Sequence, residues 1–380
     1  MAVAVVLGAC ASSAAARPSP SPSPSLQAPS PSPSPPPCVQ LSHLDRAPGV
    51  ASANPVVLLA AGMNVPDDLL YVPGDGSVLV GEHGDGHIAR IVAPGQVQRL
   101  PQVVPEAEGI AILGGTTYIA DQFHARVVAL TDPGVRTVLQ LQPVPSGENL
   151  DGISATLDGS GLVVPDSPHG VVLIVDASGH VLRRFTGFSR PAGSWPEPGD
   201  GGYLIADENA SAVFEIAGGH VTKLAGGLPG VDDALRTADG HVFAILPGAG
   251  RLVDVSAGRN VATGMRNPQG LGFDGAQNVL VTESDAGRLD LVVTTFVAEV
   301  PAGTVQLTPG QGICFDLLRA PGNSEEVQIF KATGASSVYN PLGGDLGEVV
   351  PDPCPLATCM VTIQLSGPSG TEFAQVSYRD

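Results

Sequence analysis

The chain has 380 residues, of which 48 are Gly and 36 are Pro, and only 14% are charged. This composition favours short strands joined by tight turns over long helices, and the length allows two domains. The net charge of −19 argues against nucleic acid as a partner, because phosphate binding needs a basic face. A cation, a neutral sugar or a basic peptide suits this charge better.

Residues 1–16, with the sequence MAVAVVLGACASSAAA, read as an export signal. The run from Leu7 to Cys10 resembles a bacterial lipobox, in which the cysteine is lipidated and becomes the first residue of the mature protein. We therefore expect an extracytoplasmic lipoprotein that meets the membrane only through a lipid on Cys10. Cleavage after Ala16, which would give a secreted protein, is the alternative. No later apolar run reaches about 18 residues, so no transmembrane helix is expected.

Residues 17–54 are predicted to form a Ser/Pro-rich disordered tether. The tract 17–37 reads RPSPSPSPSLQAPSPSPSPPP, which cannot pack a core and favours extended polyproline II. At about 3.1 Å per residue this tract would reach roughly 60 Å. Such a length suits a spacer between a membrane and a folded domain.

A motif recurs about six times between residues 64 and 296. An acidic residue beside Gly or an apolar residue is followed 10 to 15 residues later by an apolar strand ending in an acid, and then by a polar turn. The clearest copies are Asp67-Asp68, Glu108-Gly109, Asp151-Gly152, Asp232-Asp233 and the neutral Gln269-Gly270. Their spacings are 41, 43, 81 (two repeats) and 37 residues. A period near 40 with this content predicts a β-propeller, with six blades over residues 55–298.

The stretch PVVLLAA, residues 55–61, has no blade of its own. We expect it to pair with blade six and close the ring, which removes open sheet edges. Blade four, residues 193–216, is the least regular, and Glu197 is its candidate motif acid. The fold class is therefore all-β: a six-bladed propeller followed by a smaller C-terminal domain.

The segments YIADQFHARVVAL, residues 118–130, and YLIADENASAVFEI, residues 203–216, closely resemble NHL repeats. The broader pattern, with turns such as Asp75-Gly76 and Asp239-Gly240, also resembles the gluconolactonase family and soluble sugar dehydrogenases. The resemblance covers about residues 65–300 and implies propeller architecture. It implies little about chemistry, because this fold hosts many functions.

In a propeller the innermost strands start around the central channel, so the motif acids should converge at its mouth. Carboxylates this close repel one another, and a divalent cation such as Ca²⁺ would relieve that cost. Gluconolactonase-like propellers hold one metal there through a Glu, an Asn and an Asp. By that resemblance the candidate metal ligands are Asp67, Glu108, Asp151 and Asp232, with Asn149 as a flanking option.

The ends of the second strands and the turns that follow them open on the same face. The candidate ligand-binding residues there are Glu82, His83, His87, His124 and His169. His83 and His87 form the best imidazole pair, and a Zn²⁺ site would need a third ligand such as His124. For Asp121, Asp166 and Asp207 we favour a structural role, in which each carboxylate bonds the backbone of its own hairpin.

Residues 299–380 read as short strands that resemble a small immunoglobulin-like sandwich. Exported chains can keep disulfides, and four cysteines allow three pairings. We favour Cys354 with Cys359 and Cys38 with Cys314. The alternative pairs Cys314 with Cys354 or Cys359 and leaves Cys38 with the other.

Three functions remain open, and whether the protein is an enzyme is undecided. The first is a lipid-anchored cell-surface binding protein whose acidic mouth holds a cation and a sugar-like or peptide ligand. The second is a metal-dependent lactone hydrolase of the gluconolactonase type, in which Asp151 or Asp232 activates water. The third is a quinone-dependent sugar oxidoreductase. It would need a basic, cofactor-sized pocket, which the sequence does not indicate. The sequence does not predict an oligomeric state.

Overall fold

The computed structural model describes most of the chain between residues 45 and 294, together with the backbone of further strands on both sides. The described residues are 38–40, 45–197, 202–275, 277–294, 296–298, 304–306, 312–319, 323–330, 337–339, 346–347, 358–367 and 370–379. Within them the regular elements are strands and three short 3₁₀ turns, Ser167–His169, Pro247–Ala249 and Ser284–Ala286. Among these residues no helix has the length and apolar character needed to cross a membrane.

Residues 51–292 fold into six antiparallel sheets, which are the blades of a propeller. From the channel outwards, blade 1 contains Pro66–Val72, Ser77–Glu82, His87–Ala93 and Gln96–Val103. Blade 2 contains Ala107–Leu113, Thr116–Asp121, Arg126–Thr131 and Gly134–Gln140. Blade 3 contains Ser154–Ala155, Leu162–Asp166, Val171–Val175 and Val181–Thr186.

The other three blades complete the circle. Blade 4 contains Pro191–Glu197, Gly202–Asp207, Ala212–Ala217 and His220–Gly226. Blade 5 contains Ala234–Arg236, Val242–Leu246, Arg251–Asp254, Arg259–Thr263 and, outermost, Ala51–Ser52. Blade 6 contains Pro268–Phe273, Val279–Glu283, Arg288–Val292 and Val56–Ala61. The six-bladed architecture predicted from the repeat is confirmed.

The ring is closed by the segment that precedes blade 1. Val56–Ala61 pairs antiparallel with Arg288–Val292 as the outer strand of blade 6, with Val57 opposite Leu291. This confirms the pairing expected for residues 55–61. The same segment also adds Ala51–Ser52 to the outside of blade 5, so it fastens two blades at once.

The core lies between the blades. The described residues form six apolar clusters, and each joins the facing sides of two neighbouring blades. In blade 2, for example, Ile119 packs towards blade 1 and Ala120 packs towards blade 3. Both faces of a middle strand are therefore buried, which is why these strands are continuously apolar instead of alternating.

Further strands pair into two sheets beyond the propeller. The first has the order Cys38–Gln40, Gly312–Arg319, Asn323–Phe330 and Ser337–Tyr339, and Phe296–Ala298 also pairs with Gly312–Arg319. The second has the order Thr304–Gln306, Gly370–Arg379, Thr358–Gly367 and Leu346–Gly347. Leu318 is buried in the apolar cluster between blades 6 and 1, so the first sheet contacts the propeller. The immunoglobulin-like sandwich stays a prediction.

Candidate functional site

One face of the propeller gathers the chemically interesting residues. In blade 1 the start of the first strand lies opposite the end of the second, with Pro66 paired to Glu82, and Glu82 is paired in turn to His87 at the start of the third strand. The first strand therefore begins at the face on which the turn between the second and third strands opens. We call this face the mouth.

The innermost strands of blades 1, 2, 4 and 6 begin with a β-bulge. The register shifts between Pro66 and Leu69 in blade 1, and the same shift occurs in blades 2, 4 and 6. In blade 5, Ile245 donates its N–H to the carbonyl of Asp233, while its own carbonyl accepts the N–H of Asp232, so two residues oppose one. A bulge turns successive side chains away from the strand's alternation, here towards the channel.

The two bulge residues, and the residues that align with them in the sequence of blade 3, define two positions that recur in every blade. The first, which we call the ring position, is occupied in order by Asp67, Glu108, Asp151, Ala192, Asp232 and Gln269. The second, which we call the axial position, is occupied by Asp68, Gly109, Gly152, Gly193, Asp233 and Gly270. The predicted motif acids thus occupy the ring in four blades.

Blade 4 differs from its sequence prediction. Its ring residue is Ala192, whereas Glu197, the candidate motif acid, lies at the far end of the same strand, opposite Gly202. There Glu197 forms an ion pair with Arg236. The ring consequently has four acids, one amide and one methyl group, which makes its charge asymmetric.

The axial glycines allow the innermost strands to approach closely. A Cβ on Gly109 would lie 2.1 Å from the backbone N of Ile153, and one on Gly193 would lie 2.3 Å from Asp233 Oδ1. Real Cβ atoms do not tolerate such distances, so only glycine fits there. The strand starts are packed against one another instead of lining an open tube.

The two axial aspartates fill the space that the glycines leave. Asp68 Oδ2 would lie 3.0 Å from a Cβ on Gly152, and Asp68 Oδ1 would lie 3.1 Å from one on Gly270. Gly270 belongs to blade 6, which is next to blade 1, whereas Gly152 belongs to blade 3, which is not. The Asp68 carboxyl therefore contacts a blade beyond its immediate neighbours. Asp233 is buried, and its Oδ2 accepts the N–H of Leu271 at 3.0 Å. These two carboxyls were not among the predicted site residues.

The ring and axial carboxyls have strongly perturbed acidity. Burial, followed by repulsion from Asp151, raises the pKa of Asp67 to about 8. Burial also raises the pKa of Asp233 to about 7, although the N–H groups of Leu271 and Ala234 oppose the shift. The pKa values of Asp68, Glu108 and Asp232 lie well above the ordinary range, first through burial and then through repulsion by the other carboxyls.

Two basic groups approach the ring within the described part of the chain. Arg190 donates from Nη2 to Asp151 Oδ2 at 3.1 Å and also binds the carboxylate of Glu208. His83 Nε2 lies 3.5 Å from Glu108 Oε1. Among the described atoms, the buried Oε2 of Glu108 has no hydrogen-bond partner. Arg190 escaped the sequence reasoning because it precedes the irregular blade 4.

The acids that end the second strands are engaged within their own blades. Glu82 is buried, binds Arg99 and accepts the N–H of Asn64 at 2.8 Å. Asp121 accepts the N–H of His124 at 3.1 Å and binds Arg126 at 2.7 Å. Further contacts of this kind join Asp166 to His169, Asp207 to the N–H groups of Ser189, Arg190 and Ala210, and Glu283 to Arg288.

The histidines of the mouth lie at the turns of three blades, and His83 and His87 share the turn of blade 1. His87 Nδ1 is 3.0 Å from Asp85 Oδ1, His124 Nδ1 is 3.0 Å from Asp121 Oδ1, and His169 Nδ1 is 2.6 Å from Asp166 Oδ1. Among the four, His83 reaches the ring, through Glu108. In the described part of the chain no three His, Cys, Asp or Glu side chains are arranged to hold a metal ion. A metal at the ring would therefore require the carboxylates to draw together.

The predicted lipidation and disulfide sites lie at or beyond the limits of the described residues. Cys10 and Cys354 fall outside them, and Cys38, Cys314 and Cys359 lie in strands of which the backbone is described. Cys38–Gln40 runs parallel to Gly312–Arg319, with Gln40 opposite Cys314. Both disulfide schemes stay predictions.

No protein-family model matches the sequence, and no curated protein matches it. Solved structures match its fold. A gluconolactonase from Xanthomonas campestris superposes with a TM-score of 0.50 at 13% identity, over 68% of this chain and 97% of that one. The chain is a six-bladed β-propeller with structural neighbours among the gluconolactonases.

Other neighbours are more distant in structure. A Thermus thermophilus protein assigned as an oxidoreductase (glucose dehydrogenase) has a TM-score of 0.48 at 16% identity, over 63% of this propeller chain and 99% of that one. Virginiamycin B lyase from Staphylococcus aureus has a TM-score of 0.45 at 18% identity, over 59% and 78%. At such identities the likeness is one of fold, and the NHL character of the repeats stays a prediction.

Proposed function

We propose that this propeller is a binding protein whose acidic mouth receives a positively charged group of a peptide or sugar-like ligand. The observation that carries the proposal is the imbalance of charge at the mouth. Six carboxyls occupy the ring and axial positions, while Arg190 and His83 are the basic groups that reach them among the described residues.

The imbalance gives the mouth an affinity for cations. Buried carboxylates that face one another are costly when charged, so in the free protein several of them hold protons near neutral pH. A cationic group placed among them would stabilise the charged forms and release those protons.

The cation could belong to the ligand or could be Ca²⁺. Calcium needs six to eight oxygen ligands at close range, and the described carboxylates are not arranged in that way. An ammonium or guanidinium group makes fewer demands, because hydrogen bonds to two or three carboxylates suffice. The proposal therefore gives the role first to the ligand's own basic group and keeps Ca²⁺ as the alternative.

The two enzymatic hypotheses need features that the described residues of the mouth do not show. A lactone hydrolase of the gluconolactonase type needs convergent oxygen ligands around a metal, with Asp151 or Asp232 free to activate water. Asp151 is engaged by Arg190, so a hydrolase would depend on Asp232. A quinone-dependent oxidoreductase needs basic groups for the carboxylates of its cofactor, and six acids would repel that cofactor.

Export and lipid attachment at Cys10 belong to the same proposal and are supported by the sequence of residues 1–16 and the tether after them. We place the mouth on the cell surface, with the C-terminal strands as a small sandwich beside the propeller. The membrane contact in this proposal is the lipid alone.

The test is calorimetric titration of the full chain with two matched pairs of probes. The first pair is a blocked Gly-rich pentapeptide with a central Lys and the same peptide with Gln, and the second is glucosamine and N-acetylglucosamine. We expect the cationic member of a pair to bind, and Glu108→Gln to weaken binding roughly tenfold, the cost of losing a charged hydrogen bond. Asp158→Asn removes a charge from the opposite face and should leave binding unchanged. Equal binding, or none, by both members of both pairs would refute the proposal.

A further inference from the structure

The mouth carries exposed apolar side chains next to its acids. Eight large apolar residues are markedly exposed in the described part of the chain, and three of them lie at the mouth face of blades 1 and 2: Val65, Val103 and Phe123. The other five, Val92, Leu157, Val181, Leu182 and Leu224, lie on outer strands or towards the opposite face. Single exposed apolar residues are ordinary. Several on the same face as the ring and axial carboxyls favour a binding site there.

Val65 and Phe123 lie in mouth turns of blades 1 and 2 that hydrogen bonds link to the surroundings of Glu108. Val65 precedes the bulge of blade 1, and its carbonyl accepts the N–H of His83 at 3.0 Å, while the ring of His83 reaches Glu108. Phe123 lies in the turn of blade 2 that begins with Gln122, whose N–H bonds the carbonyl of Glu106 at 3.2 Å, two residues before Glu108. The two residues therefore lie in turns that main-chain hydrogen bonds connect to His83, in one case, and to the segment preceding Glu108, in the other.

The backbone at Val65 is unfavourable for valine. Its φ is +51°, in the left-handed region, where β-branched residues are rare. The equivalent residues of blades 2, 5 and 6 are also left-handed, namely Glu106 at +48°, Gly230 at +62° and Asn267 at +50°, whereas Asn149 and Arg190 of blades 3 and 4 are not. Four of the six blades thus use this conformation here, which Gly and Asn adopt with less strain than Val. Val65 is strained and exposes 39% of its surface, which favours a role in binding over a role in stability.

The side chain of Phe123 packs against His124 and is otherwise largely exposed to solvent. It is 56% exposed and packs edge-to-face on His124, with ring centroids 4.9 Å apart. His124 is itself bound to Asp121, which also binds Arg126. An aromatic ring that packs on one neighbouring ring and stays more than half exposed can receive an apolar side chain or contact a cation.

We propose that the ligand of this mouth is a basic peptide in which a Lys or Arg is directly followed by an aromatic or large aliphatic residue. The basic group would lie among the ring carboxyls beside Glu108, and its apolar neighbour would lie on the shelf formed by Val65 and Phe123. This inference rests on the proposed function and narrows its ligand. Charge complementarity selects the basic residue, and the adjoining shelf selects the residue next to it.

The test compares three blocked tetrapeptides on the full chain by calorimetry. They contain Lys-Phe, Lys-Gly and Gln-Phe at their centre. Burial of an aromatic side chain on the shelf should make Lys-Phe bind roughly tenfold more tightly than Lys-Gly, and Gln-Phe should bind weakest. Val65→Asn and Phe123→Ala should each remove most of the advantage of Lys-Phe over Lys-Gly. Leu157→Ala, at an apolar residue of the opposite face that is 63% exposed, should leave that ratio unchanged.

Stability separates a loss of contact from a loss of fold. Asn suits the left-handed turn, so the melting temperature of Val65→Asn should equal or exceed that of the parent chain. If Lys-Phe and Lys-Gly bind equally, or if neither shelf variant changes their ratio, the shelf has no role although the cation-binding function stands. If Gln-Phe binds as well as Lys-Phe, the acids do not select the ligand and both proposals fail.

Discussion

Asp233 Oδ2 accepts the backbone N–H of Leu271 at 3.0 Å, so a carboxyl from blade 5 is bonded to the innermost strand of blade 6. Its Oδ1 accepts the N–H of Ala234 at 2.8 Å, which fixes the carboxyl at the channel axis. An acid that bonds two backbone donors is structural as well as charged. The contact between blades 5 and 6 at the centre of the mouth therefore depends on a carboxyl that can gain or lose a proton.

The first prediction is that the free protein loses stability as the pH rises. In the unfolded chain an Asp loses its proton near its ordinary pKa of 3.8, whereas folded Asp67 keeps its proton up to about pH 8 and Asp233 up to about pH 7. Between these values the folded state binds more protons, so the free energy of unfolding falls with increasing pH. The melting temperature should fall steadily from pH 5 to pH 9.

Asp67→Asn should reduce this slope and raise the melting temperature at pH 8 by a few degrees, at roughly 2–4 °C per kcal/mol for a domain of this size. Asp158→Asn is the matched control. Serine and threonine hydrogen bonds lower the pKa of Asp158 to about 2, so its contribution is lost below about pH 4 and the slope above pH 5 should not change. A flat profile in the parent chain would contradict the burial of these charges.

The second prediction concerns the close approach of the innermost strands. Gly193→Ala places a Cβ 2.3 Å from Asp233 Oδ1 and 2.7 Å from the carbonyl of Asp232, which neither strand can avoid without moving. We expect a loss of about 1–3 kcal/mol in the free energy of unfolding by denaturant titration. Gly74→Ala, where no atom lies within 4 Å, should change it little. An equal effect of both changes would show that the strand starts are not tightly packed.

The third prediction is that Arg190 offsets part of the negative charge of the ring. Arg190→Gln leaves Asp151 without its ion pair at 3.1 Å and should lower the free energy of unfolding at pH 8 by about 1–3 kcal/mol, the moderate range for a partly exposed partner. The double variant Arg190→Gln, Asp151→Asn should recover much of the loss. Arg183→Gln, on an exposed outer strand, provides the control. Strict additivity of the two single changes would show that the residues are not coupled.

The fourth prediction concerns calcium. Because the described carboxylates are not arranged as a metal site, 1 mM Ca²⁺ should raise the melting temperature less than a saturating Lys-containing peptide does. The measurement is differential scanning fluorimetry with EDTA, Mg²⁺ and Zn²⁺ controls. A larger rise with Ca²⁺ that disappears in Asp151→Asn and Asp232→Asn would instead establish a metal at the ring and return attention to lactone hydrolysis.

The fold was largely predictable because its signals are periodic. The spacing of Asp67, Glu108 and Asp151 reports one acid per blade, and an unassigned apolar stretch at residues 55–61 implied the closing strand. The same periodicity failed in blade 4, where the ring residue is Ala192 and carries no acid to mark it. A repeat can be counted from its recurring residue type, but a blade without that residue can be located only through its strand register.

The site was less predictable than the fold. Asp68 and Asp233 stand where three aligned motif copies have Gly, a contrast visible in the sequence once the copies are superposed. The sequence could not show that glycine at this position lets the innermost strands approach closely. It therefore could not show that the side chains of Asp68 and Asp233 fill the space at the channel axis. Arg190 shows a further limit, because its partner Asp151 is 39 residues away and belongs to another blade.

The closing strand has a consequence for the order in which the protein can form. Val56–Ala61 is made before any blade is complete, yet its partner Arg288–Val292 belongs to the last blade. Hydrogen bonds from Thr282 and Ser284 to the carbonyls of Asp67 and Pro66 join the same two ends of the chain. Contacts that span more than 200 residues form slowly during folding. The backbone of Val56–Ala61 therefore stays unpaired until the third strand of blade 6 has formed. Truncation anywhere in blade 6 would therefore release the beginning of the propeller as well as its end.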